Sequence, residues 1–395
     1  MKKVIGLLLL LFVFSKTHAQ EVIETEISSK YLNKIQKVKI FIPETYFDDY
    51  LAFPIAVVLN SDALFDTYVA TSKLFAKNDK APSQIIVGIS QEFKEFNYLN
   101  YGFDNYSGLP TQISSRTFGF IKNDLLQFLQ ENFRTSNFKT IIGDKLTANF
   151  ANYFMFEDQP VFNAYISLNP QFAVHMPENL KNYSKKLKNE EYYYYLSLIQ
   201  DPEELDKNKI SDANRYLSNS ENNEFNYRFD NFDKVSELTS IPQGIASALE
   251  HVFTGYSGID QREYENKVAY LSPLAKIEYL SFKYENIQYL FGEEKEIRVT
   301  DFYAIEDSFH ESENSNYLED LGEFALETHP KEPMGDYYLG RFYEMDMDYR
   351  KAAIHYKKGY VKIPSDSPES RLFYENIARV NRLKKEKTWK MQAPK

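Results

Sequence analysis

The sequence predicts an α/β fold: a mainly parallel sheet with helices on both faces, followed by an all-α C-terminal region. Three observations predict it. Short apolar runs alternate with helix-period segments through residues 21–255, the order of elements that builds a parallel sheet. The runs at 53–59 and 84–88 are continuous rather than alternating, as strands covered on both faces require. Beyond about residue 256 such runs become rare, and from residue 316 the period is helical.

Taken in order, 37–42 alternates polar and apolar residues, as a half-buried strand does. The run 53–59 is the next strand. Leu64, Tyr68, Leu74 and Phe75 mark a helix before the strand at 84–88. Phe118, Ile121, Leu125, Phe128 and Leu129 recur at helical spacing through 117–132. Thr140-Ile141-Ile142 is a buried strand, followed at once by Gly143 and a helix to Phe156. Further strands are expected at 164–168, 192–198 and 225–229, and a last helix of the segment at 242–253. Four regions result: 1–19, 20–255, an acidic helical connection at 256–308, and a helical domain at 309–395.

The chain has 395 residues, 46 Lys plus Arg, 57 Asp plus Glu and no cysteine. With 43% hydrophobic and 26% charged residues it has the composition of a folded globular protein. Its net charge of −11 argues against nucleic-acid binding, since no surplus of Lys and Arg exists to replace counterions on phosphates. The lack of cysteine removes disulfides, a thiol nucleophile and thiolate metal sites. The histidines show no paired metal-ligand spacing, so neither metal nor cofactor is expected. Met1-Lys2-Lys3, an apolar run over 4–14 and Thr17-His18-Ala19 form the three parts of a secretory signal cleaved after Ala19. The run is shorter than the roughly 20 residues a membrane span needs, and no other stretch approaches that length. Cleavage would remove three lysines and move the charge from −11 to −14, giving an exported protein, periplasmic or secreted.

In the C-terminal region Tyr337, Leu339, Gly340, Tyr343, Ala352, Tyr356, Gly359 and Pro364 are spaced as in one tetratricopeptide repeat, which this segment resembles. Small residues at 340, 352 and 359 let two helices approach, and aromatic side chains fill the groove between repeats. The repeat's early tryptophan position is Asp336 here. Residues 316–329 look like the second helix of a preceding repeat, and Ser367-Pro368-Glu369 starts a final helix with a basic end from Arg379 to Lys390. A single repeat cannot bury its own apolar face, so this region needs neighbours or a protein partner.

Residues 21–255 resemble the esterase D and enterochelin-esterase group of the α/β hydrolases. The resemblance rests on spaced blocks in the right order: 60–66 (Asn-Ser-Asp-Ala-Leu-Phe-Asp), 85–89, 120–133 followed by Arg134-Thr135, and 162–170 (Phe-Asn-Ala-Tyr-Ile-Ser-Leu-Asn-Pro). It implies a nucleophile elbow, Gly-x-Ser-x-Gly-Gly, directly after the strand that ends at Gly143. The sequence there reads Gly143-Asp144-Lys145-Leu146-Thr147-Ala148. Lys145 stands where the resemblance puts the serine, and a lysine cannot form the acyl-enzyme ester. The resemblance places the histidine before the last helix, near Glu237, and the acid after the strand at 192–198, where Asp201, Glu203 and Glu204 stand. No histidine lies between His175 and His251.

Two readings follow. In one, serine-hydrolase catalysis is lost, no residue is catalytic, and the protein binds a ligand or serves as a scaffold. The pocket candidates are then Ser61, Asp62, Asp144, Lys145, Leu146 and Glu237, with Lys145 and Glu237 forming an ion pair. In the other, an ester hydrolase uses a relocated serine among Ser61, Ser107, Ser114, Ser115 and Ser167. A protein partner for the helical region and a small ligand in the pocket are compatible with the first.

Overall fold

The computed structural model describes residues 22–47, 50–89, 96–199, 204–310, 316–364 and 367–392. The expected signal at 1–19 and the expected acids Asp201 and Glu203 lie outside the described residues. Contacts divide the chain into two compact units, one holding residues 1–77 and 82–252, the other residues 78–81 and 253–395.

The first unit is built on an eight-stranded sheet: β1 (Val22–Ser29), β2 (Lys34–Phe41), β3 (Phe53–Val58), β4 (Ile85–Ile89), β5 (Thr135–Asp144), β6 (Ala164–Leu168), β7 (Tyr192–Ile199) and β8 (Phe225–Phe232). Their order across the sheet is β1-β2-β4-β3-β5-β6-β7-β8. β1 and β2 run antiparallel to their neighbours, and the pairs from β4 to β8 are parallel. Every residue of β3, β4, β6 and β7 is buried. Successive side chains of a strand point to opposite faces, so both faces of the central sheet are covered, which is why these strands read as unbroken apolar runs.

Four differences from the sequence reading have physical causes. β1 carries Glu24 and Glu26 on an edge and exposes half its residues, so it lacks the apolar run of a central strand. β5 starts at Thr135 rather than 140. A register shift between Phe53 and Ile55 lets its polar first half pair with β3. The helix expected over 117–132 runs from Gln112 to Asn132 and carries a π-helical turn at Phe120–Leu125. The helix expected to begin at Pro242 begins at Glu237 and carries that proline within it. Glu237 therefore sits in a helical first turn, not in a loop.

In the second unit, the segment 256–308, expected as an acidic helical connection, carries two long helices. The helices Pro273–Phe291 and Val299–His310 bury Leu280, Ile287, Phe302 and Ile305. The helices Asn316–Thr328, Met334–Met345, Tyr349–Tyr360 and Pro368–Gln392 follow, each packed on the next. Small residues set the spacing. A Cβ on Gly340 would fall about 2.5 Å from the Tyr356 ring, and one on Gly322 2.7 Å from Leu339. The last helix buries Phe373 and Val380 but exposes its far end, where Trp389, the only tryptophan of the chain, is 80% exposed. Among the described residues no helix is long and apolar enough to cross a membrane.

Candidate functional site

β5 ends at Asp144 and the helix Lys145–Ala151 begins at the next residue. The turn between them is sharp. Lys145 has φ of 46°, in the left-handed region, which costs a residue with a Cβ about 1–2 kcal/mol. Gly143 has no freedom to be anything larger: a Cβ there would lie 2.5–2.7 Å from backbone atoms of Thr147 and Ala148. The result is a strained strand–turn–helix with Lys145 at its tip.

The turn is fixed from three sides. Asp144 N–H donates to Thr147 Oγ1 (2.9 Å), and that hydroxyl donates back to the Asp144 carbonyl (2.8 Å). Asn60, in the bend after β3, donates through Nδ2 to Asp144 Oδ1 (2.8 Å). Gln171 N–H donates to the Lys145 carbonyl (3.1 Å). Burial raises the Asp144 carboxyl above its ordinary pKa; the hydrogen bonds from Asn60 and Thr147 oppose that shift without cancelling it.

Lys145 Nζ lies 2.5 Å from Glu237 Oε1, with side chains 42% and 49% exposed. The pair shares the lining of a crevice with Asp144, Leu168, Asn169, Ser197, Ile199, Ser240 and Ile241. These residues come from the C-terminal ends of β5, β6 and β7 and the start of the helix Glu237–Val252, the edge of a parallel sheet where ligands bind. The crevice measures about 10 Å³, room for one water at most, whereas small-molecule sites occupy roughly 300–1,000 Å³. Asn169 Oδ1 is buried there and accepts no hydrogen bond from a described residue.

Of the other candidates, Ser61 is buried and donates to the Ile89 carbonyl (3.0 Å), away from the crevice. Asp62 is exposed on the same helix, and Leu146 packs half-buried against the core. Ser114 donates to the Gly102 carbonyl (2.5 Å) and Ser107 to Asp104 (2.9 Å). Ser167 lies buried in β6 and accepts from the Tyr194 hydroxyl (3.2 Å), and Ser115 is exposed on a helix. His251 is buried with its Nε2 3.1 Å from the Asn226 carbonyl and its ring edge-on to Tyr193. The structure thus joins Asp144, Lys145 and Glu237 and leaves Ser61, Asp62 and Leu146 outside. Sequence reasoning missed Asn60, Asn169, Ser197 and Ser240. The signal available for the last three was topological, their places at the ends of parallel strands and in the first turn of the next helix.

No protein-family model matches the sequence, and no curated protein matches it. Solved structures do. An uncharacterised protein from Capnocytophaga ochracea is 27% identical, with a TM-score of 0.74 over 91% of this chain and 99% of that one. An IroE-like serine hydrolase from Shewanella oneidensis is 15% identical, with a TM-score of 0.57 over 86% of this chain and 99% of its own. The BES protein from Bacillus cereus is 17% identical, with a TM-score of 0.51 over 61% and 98%. The mostly parallel eight-stranded sheet and these likenesses agree on the fold: the chain has an α/β-hydrolase-like fold followed by a helical region.

Proposed function

We propose that this is an exported protein of esterase-like fold that has lost serine-hydrolase catalysis and acts as a binding or scaffolding module. The observation that carries the reading is the Lys145–Glu237 pair. The elbow that would aim a nucleophile aims an ammonium, and the position the resemblance gives to the general base holds its carboxylate partner at 2.5 Å. A protonated amine held by a carboxylate is a poor nucleophile, and without an imidazole there is no group to carry a proton between serine and leaving group. Four of the five serines weighed as replacements are tied up in hydrogen bonds, and the fifth, Ser115, is exposed on a helix. Ser61, Ser114 and Ser167 are buried in hydrogen bonds, and Ser107 is held by Asp104.

Export is supported by the basic start, the apolar run over 4–14 and Ala19. The tetratricopeptide-like reading of 337–364 is supported by the close approaches of Gly340 to Tyr356 and of Gly359 to Phe373. On this reading the helical region docks a protein partner. The test of the central claim exposes the mature protein to an activated short-chain ester and to a fluorophosphonate probe. Neither turnover nor labelling is expected. Turnover and labelling that vanish on substitution of one serine would overturn the proposal.

A further inference from the structure

The crevice beside Lys145 has room for about one water. The opposite edge of the same sheet holds a cavity of about 970 Å³, the size of a small-molecule site. Two loops that lead into the N-terminal ends of β6 and β7 supply most of its lining. Residues 157–160 precede β6, and residues 185–190 join the helix Met176–Ser184 to β7. Met155, Leu187 and Tyr192 are its buried lining residues, whereas its three lysines are exposed.

Charge in this lining is unevenly paired. Of its three carboxylates, Glu157 lies 2.5 Å from Lys122 Nζ, and Glu190 accepts from Asn163 Nδ2 (2.7 Å). Lys185 and Lys188 have no carboxylate partner among the described residues, and Lys186 Nζ lies over the Tyr183 ring, 4.7 Å from its centroid. Three ammonium groups therefore stand against one unpaired carboxylate, Asp158, on a chain whose net charge is −11. Tyr192 is a second and independent observation. It is 5% exposed and lines the cavity, yet its hydroxyl makes no hydrogen bond to a described residue. Burial, helped by the charges of Glu190 and Glu224, raises its pKa, so the phenol keeps its proton and remains a donor. A buried donor without an acceptor costs free energy that a ligand's oxygen would recover.

We propose that this cavity binds a small organic dianion, with its apolar body against Met155 and Leu187, an oxygen accepting from the Tyr192 hydroxyl, and carboxylate or phosphate groups on Lys185, Lys186 and Lys188. The unpaired groups set the ligand's chemistry. They are mostly donors and mostly cationic, so they call for a ligand rich in acceptors and negative charge, and charge-assisted bonds are the strong ones. The site and the Lys145 turn lie at opposite ends of the parallel strands, so the inference stands whether or not serine chemistry has been lost.

The experiment is calorimetric titration of the full mature chain with phthalate and with phenyl phosphate, and with benzyltrimethylammonium as a cation of similar body. At least one of the two anions should bind, more weakly as salt rises, and the cation should not. Binding of phthalate alone assigns the site to carboxylates, and binding of phenyl phosphate alone assigns it to phosphate esters. The double variant Lys185→Gln, Lys188→Gln should weaken binding about tenfold, and Tyr192→Phe, which keeps the ring, about threefold. Circular dichroism checks that both variants fold, and the salt dependence of the wild type tests the charge argument without them. Binding of neither anion, binding of the cation as tightly, or unchanged affinity in either folded variant overturns the inference.

Discussion

Asn60 Nδ2 donates to Asp144 Oδ1 across 2.8 Å, so the bend after β3 is tied to the turn after β5 by a bond to a carboxyl that is largely out of water. Burial raises the pKa of Asp144. For an acid whose folded pKa lies above its unfolded one, the stabilising contribution is full below the unfolded value, near 4, and is lost as pH rises through the folded value. Asp144→Asn removes that dependence. The melting temperature of wild type relative to Asp144→Asn should therefore be higher at pH 4 than at pH 7, and a difference that is flat or of opposite slope would contradict the burial argument.

Replacement of Gly143 by alanine should cost about 3 kcal/mol, at the upper end of ordinary overpacking. The new methyl meets backbone of Thr147 and Ala148, not a side chain that can turn away. Urea unfolding followed by circular dichroism measures it. A loss under about 1 kcal/mol would mean that strand and helix can separate freely.

Lys145→Gly should have the opposite sign. Glycine enters the left-handed region without the Cβ penalty, and the ion pair it forfeits is half exposed. A gain of about 0.5–1 kcal/mol is expected from the same unfolding experiment. A loss would show that the pair with Glu237 outweighs the strain.

In the second unit, Asp336 is buried where the repeat resembled carries tryptophan. It accepts from His355 Nδ1 (3.0 Å) and Lys362 Nζ (2.8 Å). Burial alone would raise its pKa, but these two partners outweigh burial and hold it below the ordinary carboxylate value. A depressed pKa gives stability that is present above the unfolded value and lost as pH falls through the folded one. Asp336→Ala should destabilise by about 2 kcal/mol at pH 7, less than loss of a fully buried pair because both partners are partly exposed. That cost should fade below about pH 4. A penalty that persists undiminished at pH 3 would assign it to packing instead of charge.

The fold was legible where burial was complete. β3, β4, β6 and β7 announce themselves because both faces are covered and every position is apolar or small enough to bury. β1 was silent because an edge strand with Glu24 and Glu26 looks like a loop. Pro242 misplaced the start of the last helix of the first unit, since a proline usually marks a first turn and here follows one. Lys145 and Glu237 could be brought together only through the resemblance, because nothing in spacing alone joins the end of β5 to the segment after β8. Asn169, Ser197 and Ser240 carry no motif, and their convergence exists only once the sheet order is known.

The place of Trp389 governs how this protein can be watched. The single indole stands in water on the outer end of the C-terminal helix, so its emission is already that of a solvated fluorophore when both units are intact. Selectively excited tryptophan fluorescence will be nearly blind to the melting of either core. The same indole is a clean reporter for any molecule that covers the end of that helix, because no second tryptophan contributes to the signal.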